Sequence, residues 1–144
     1  MKILFKKKAG PRRKPEDVPR ILAVDDEEVM GYLIRRVVDH LGYEMDWVTD
    51  CGEAFDRIER SSYDVILSDY RLPSMNGDAF YDALAARNKD LVRRVVFITG
   101  DTVSNSTVKF FKRSQVPYLS KPFDIDELKN LIQTTVHAVR GNPV

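Results

Sequence analysis

Five times along residues 20–140 a short apolar run gives way to a segment whose apolar residues recur at helical spacing, and this alternation restricts the chain to very few folds. Ile21-Leu22-Ala23-Val24 opens the first unit. Met30, Leu33, Ile34, Val37, Val38 and Leu41 then share one stripe of a helix predicted over residues 27–41. Gly42 ends that helix, and Glu27 and Glu28 suit the positive end of its dipole. Residues 43–47 alternate strictly between apolar and acidic, the pattern of a strand with one wet face and therefore of a sheet edge. Asp50 is placed to cap a second helix that runs to Arg60 and turns Ala54, Phe55 and Ile58 inward.

The third strand, residues 63–68, is apolar almost throughout and should be buried on both faces. Pro73, Asn76 and Gly77 mark a loop, a third helix follows over residues 78–87, and residues 94–99 form the fourth strand. A weaker helix over residues 103–113 is anchored by Val108 and Phe111, which leaves Phe110 either packed or exposed as a partner contact. Residues 116–120 make the fifth strand, and Asp124 caps a final helix carrying Ile125, Leu128, Ile132, Val136 and Val139. Such a (βα)5 chain builds a doubly wound parallel sheet with helices on both faces, and its ligands bind beyond the carboxyl ends of the strands.

That rule gathers a specific set of side chains. Asp25 and Asp26 end the first strand, Asp69 the third, Thr99 the fourth and Lys121 the fifth. Three carboxylates at one edge repel each other unless a cation sits among them, and a hard oxygen site of this kind suits Mg²⁺. Asp26 and Asp69 are the expected direct ligands, with Asp25 acting directly or through water and the Arg71 backbone carbonyl as a further ligand. A carboxylate can also attack phosphorus to form an acyl phosphate, a reaction that needs little beyond alignment and neutralised oxygens. Lys121 and Thr99 supply an ammonium and a hydroxyl for that purpose.

Ile21 to Glu27, Ile66 to Pro73, Phe97 to Gly100 and Tyr118 to Phe123 resemble the signatures of response-regulator receiver domains of two-component signalling, and the successive intervals of 43 residues from Asp26 to Asp69, 30 from Asp69 to Thr99 and 22 from Thr99 to Lys121 fit that family. The resemblance covers residues 20–140 and implies a flavodoxin-like sheet of strand order 2-1-3-4-5. It implies that Asp69 accepts a phosphoryl group from a histidine kinase or histidine phosphotransfer protein. Asp25 and Asp26 then hold Mg²⁺, Lys121 contacts the phosphoryl group and Thr99 moves toward it. Tyr118 corresponds to the aromatic position that turns inward and alters the face made by the fourth helix, fifth strand and fifth helix, a surface for an unknown downstream protein or a homodimer. The Lys121-Pro122 bond is expected to be cis, and Gly100 meets a need for a small residue. Arg71 and Asp101 stand two residues after Asp69 and Thr99, at positions that affect phosphoryl lifetime. A signalling switch of this kind assists its own phosphorylation and slow dephosphorylation and is not an enzyme toward other substrates.

The length of 144 residues, with 43% hydrophobic and 31% charged, fits one soluble domain and reads as cytoplasmic in the absence of an apolar span or secretory leader. Residues 1–20 hold eight Lys/Arg against two acids, net +6, while the rest carries −5. With Gly10, Pro11, Pro15 and Pro19 among them, residues 1–19 read as a flexible basic tail, either a solubilising extension or a contact for an anionic partner. Residues 141–144 form the C-terminal end, and no DNA-binding module follows the predicted domain. Cys51 can form no internal disulfide; near a helix start its thiol pKa could be lowered, although an incidental role is the simpler reading. His40 and His137 stand on predicted helices without ligand partners. Two rivals remain in other classes. An aspartyl-phosphate hydrolase of the haloacid dehalogenase type shares the residue types, but it would carry an Asp-x-Asp motif after the first strand and a cap domain. A flavodoxin-like cofactor binder would need a phosphate cradle where this chain has four consecutive acids.

Overall fold

The structure, a computed structural model, describes residues 17–141. The remainder of the predicted basic tail and residues 142–144 lie outside them. Strands β1 (Arg20–Val24), β2 (Glu44–Val48), β3 (Val65–Asp69), β4 (Val95–Thr99) and β5 (Tyr118–Ser120) form one parallel sheet in the order β2-β1-β3-β4-β5. The helices are α1 (Glu28–His40), α2 (Cys51–Arg60), α3 (Gly77–Arg87), α4 (Lys89–Val92), α5 (Asn105–Ser114) and α6 (Ile125–Arg140). The one-turn α4 is an addition to the expected (βα)5 pattern, so the fourth and fifth helices of that pattern are α5 and α6.

Every residue of β3 and β4 is buried, and alternate side chains feed two separate cores. Leu22, Val24, Ile66, Val95 and Phe97 point toward α2, α3 and α5, where they meet Ala54, Phe80, Leu84, Phe110 and Phe111. Ile21, Ala23, Val65, Leu67, Val96 and Ile98 point toward α1 and α6 and meet Ile34, Val38, Leu128 and Ile132. β2 is an edge strand, as its alternation predicts; Met45 and Trp47 pack on the α1/α6 side while Glu44 is exposed.

Local chemistry sets the element ends. Asp50 Oδ1 accepts from the Glu53 backbone N–H at 2.9 Å and starts α2. Gly42 and Gly141 adopt positive φ just beyond α1 and α6. At Asp124 the backbone N–H donates to Glu127 Oε1 at 3.0 Å, half of a capping box. Several predicted boundaries shift. β3 begins at Val65, not Tyr63, and β4 begins at Val95. β5 begins at Tyr118 and not Val116, because the preceding Pro117 has no N–H to give a ladder. α5 begins at Asn105 and not Val103, because Asp101 Oδ1 accepts from Val103 and Ser104 N–H and holds them in a turn.

Candidate functional site

Strand register brings the singled-out residues to one edge. Val24 lies beside Ser68, Asp69 beside Ile98, and Thr99 beside Ser120, so Asp25, Asp69, Thr99 and Lys121 emerge together at the carboxyl end of the sheet. The position of β1 is secured from its neighbour: the Asp25 N–H donates to the Val48 carbonyl at 3.1 Å, and the Trp47 indole N–H donates to the Asp25 carbonyl at 2.9 Å. Trp47 can lie there because Gly31 faces its ring, where a Cβ would collide with the indole. Gly77 makes the same kind of room for the Tyr70 ring beside Asp69.

Ligand oxygens of Asp25, Glu27 and Asp69 all lie within 4.8 Å of one another. Asp25 Oδ1 accepts from the Glu27 N–H at 2.9 Å, whereas the buried Asp25 Oδ2 has no hydrogen-bond partner. Burial, partly opposed by the Glu27 N–H and reinforced by the Asp69 charge, pushes Asp25 up to about 6. Burial also raises Asp69, against the lowering effect of Lys121. Lys121 Nζ stands 3.9 Å from Asp69 Oδ2 and 3.5 Å from Glu27 Oε1. An orphaned, buried carboxylate oxygen within a trio of acids is a donor set that a hard divalent cation satisfies, so the residues present fit Mg²⁺.

The trio does not coincide with the acids singled out from the sequence. Asp26 is exposed and has no atom within it, although its charge acts on Asp69, whereas Glu27 stands within it. The signal for Glu27 is the turn itself, since an aspartate that accepts from the N–H two residues on folds the chain back over the strand end. Asp69 Oδ1 accepts in the same way from the Arg71 N–H at 3.3 Å.

The Thr99 hydroxyl is buried and committed to the next loop, donating to the Asp101 carbonyl at 3.1 Å and accepting from the Asp101 N–H at 3.0 Å. Arg71 and Asp101 form an ion pair, Nη2 donating to Oδ2 at 2.6 Å. The Lys121-Pro122 bond is cis, and a Cβ at Gly100 would meet nothing within 4 Å. Tyr118 is half exposed and stacks on Phe111, with ring centroids 4.2 Å apart. Phe110 is buried among Tyr70, Tyr81, Phe97 and Phe111, so packing accounts for it and the exposed-contact reading falls. Burial also overrides the helix start at Cys51, pushing its thiol up to about 11.

A family model described as response regulator receiver domain matches residues 21–133. The transcriptional regulatory protein RprY of Bacteroides fragilis is 28% identical over 122 residues, covering 85% of this chain and 51% of that protein. The chain thus spans about half the length of that curated relative. Among solved structures, a CheY-like receiver domain protein from Methanospirillum hungatei superposes with a TM-score of 0.76 at 22% identity, over 86% of this chain and 98% of that one, a likeness of fold. The response regulator TrrA of Thermotoga maritima, solved in complex with Mg²⁺-BeF, has a TM-score of 0.70 at 25% identity, over 82% of this chain and 99% of its own.

Proposed function

Because the chain belongs to the response-regulator receiver family, a group of signalling switches, we propose that Asp69 is its phosphoacceptor and that the carboxyl edge of the sheet is a Mg²⁺-assisted phosphorylation site. The observation that carries this reading is the unpartnered, buried Oδ2 of Asp25, whose carboxylate clusters with those of Asp69 and Glu27, with the Lys121 ammonium 3.9 Å from Asp69. Asp25 and Asp69, joined by Glu27 or Asp26 and by the Arg71 carbonyl, would hold the cation. A bound Mg²⁺ supplies positive charge to a phosphoryl oxygen.

Asp69 reacts as its carboxylate, and the cationic Lys121 favours that form against burial. A carboxylate oxygen forms the new bond to phosphorus while the bond from phosphorus to the donor imidazole breaks, its electron pair leaving on the nitrogen. Lys121 neutralises a second phosphoryl oxygen. The Thr99 hydroxyl reaches a third by exchanging the Asp101 carbonyl for it. Later attack of water on phosphorus restores the carboxylate and releases inorganic phosphate. The donor is a phosphohistidine of a kinase or phosphotransfer protein. The half-exposed Tyr118 and the surface of α5, β5 and α6 present the state of the site to a downstream protein or a second copy. No helix among the described residues is long and apolar enough to cross a membrane. Neither the hydrolase nor the cofactor-binding alternative gains support from the comparisons.

Acetyl phosphate with Mg²⁺ tests the assignment. One acid-stable, base-labile phosphoryl group should appear on the wild type and none on Asp69→Asn, whose amide cannot form the acyl phosphate. Undiminished labelling of Asp69→Asn refutes it.

A further inference from the structure

Two consecutive residues after Asp69 are tied to α5 and to the turn that precedes it, and the two ties differ in kind. The Tyr70 ring is buried against Phe97 of β4 and Phe110 and Phe111 of α5 at centroid distances of 5.4–5.7 Å. That tie cannot move without opening the core. Arg71 is the opposite case. Its side chain is 56% exposed and, apart from its stem, is held in place by a single ion pair to Asp101.

Asp101 is a hub. Its carboxylate accepts from the Val103 N–H at 3.1 Å, the Ser104 N–H at 3.0 Å, the Ser104 hydroxyl at 2.7 Å and the Thr107 hydroxyl at 3.3 Å, in addition to Arg71. Its own backbone holds the Thr99 hydroxyl at both ends. Four partners on the α5 side remain if Arg71 leaves, so release strands no unpaired charge. The hydrogen bonds from Ser104 and Val103, with Arg71 in a lesser role, hold the carboxyl far below the usual carboxylate range, and it remains ionised throughout.

A phosphoryl group on Asp69 changes the competition for Arg71. It brings about −1.5 to −2 charges and three acceptor oxygens, against one charge and two oxygens on Asp101. It also arises two residues from Arg71, whose N–H already reaches Asp69 Oδ1. Building on the phosphoacceptor reading above, we propose that Asp101 is a positioning residue that ties the start of α5 to the segment after Asp69 through Arg71, and that phosphorylation of Asp69 draws Arg71 away and cuts this tie. The α5 turn is then released from the β3–α3 loop while Tyr70 remains fixed. Arginine transfer is thus a route from the phosphoryl group to the α5 surface that is separate from the movement of Thr99.

Hydrogen–deuterium exchange over residues 102–108, compared with and without acetyl phosphate and Mg²⁺ in excess, reads the tie directly. Intact mass of the same samples gives the phosphorylated fraction. Exchange in the wild type should accelerate several-fold on phosphorylation. Unphosphorylated Arg71→Gln should already exchange at the faster rate, with no further rise per phosphorylated molecule, and Arg71→Lys, which retains a cation, should recover the slow unphosphorylated rate. An equal phosphorylation-driven rise in wild type and Arg71→Gln overturns the tie. A wild type that takes up no phosphoryl group overturns the phosphoacceptor reading and the tie with it.

Discussion

The two ends of the β-sheet use the same residue types to opposite effect. At the amino end, Asp64 accepts from the Arg20 N–H at 2.9 Å and from Arg140 Nε at 2.8 Å, fastening the entrance of β1 to the end of α6. Against its burial, the Arg140 hydrogen bonds and the Arg20 N–H hold its carboxyl below the usual range. Asp46 there accepts from Arg20 and from the Tyr63 hydroxyl. At the carboxyl end, Asp25 and Asp69 are buried with fewer partners than their oxygens can accept, and both are pushed up. One end satisfies its acids within the protein and stabilises the fold. The other leaves them unsatisfied, a local instability that a cation and a phosphoryl group can relieve.

Function separates the ends most sharply. Asp69→Asn should lose all labelling by acetyl phosphate, while Asp64→Asn, at the far end, should label at the wild-type level in the fraction that is folded. Loss of labelling in a folded Asp64→Asn would break the contrast. Stability should show the reverse. Asp64→Ala leaves Arg140 and the Arg20 N–H without their shared acceptor and should cost about 3 kcal/mol in urea unfolding. Asp25→Asn should instead stabilise the metal-free protein at neutral pH. The rise from 3.8 to about 6 corresponds to about 3 kcal/mol, and since the amide is itself buried and incompletely bonded, a net gain of about 1–2 kcal/mol is expected.

The pH dependence follows with opposite signs. Asp25 binds its proton more tightly folded than unfolded, so its contribution is present below pH 3.8 and is lost as pH rises through about 6. Asp64 has a lowered folded value, so its contribution is present above 3.8 and is lost as pH falls below that. Metal-free unfolding curves should therefore lose a declining limb between about pH 4 and 7 in Asp25→Asn and an acid limb in Asp64→Asn. The smallest expected effect is kinetic: Arg71→Ala, which opens the mouth of the site to water, should shorten the lifetime of the phosphorylated form several-fold. Equal dephosphorylation rates would leave the Arg71–Asp101 pair without a role in lifetime.

Much of this was legible because burial and polarity change abruptly at strand ends. The apolar runs gave β1, β3 and β4 to within one or two residues, and the ends of those runs identify Asp25, Asp69 and Thr99. The alternation of residues 43–47 placed β2 at an edge. What escaped depends on contacts that periodicity does not encode. The one-turn α4 has no apolar stripe; it rests on the Asn88 side chain, which accepts from the Asp90 N–H, and on Asp90 bonded to Arg93 and Arg94. Glu27 joins the acidic trio through a turn made by Asp25, and Phe110 is buried because Tyr70 and Tyr81 on other elements close over it.

Thermal melting of the wild type and Asp25→Asn at pH 7, each with and without millimolar Mg²⁺, tests most directly whether the carboxyl end exchanges stability for ligand binding. The wild type should melt at a higher temperature with Mg²⁺, which binds only the assembled site. Asp25→Asn should melt above the wild type without metal and respond little to its addition. A wild type indifferent to Mg²⁺, or an Asp25→Asn that is less stable without metal and equally responsive to it, would contradict the account.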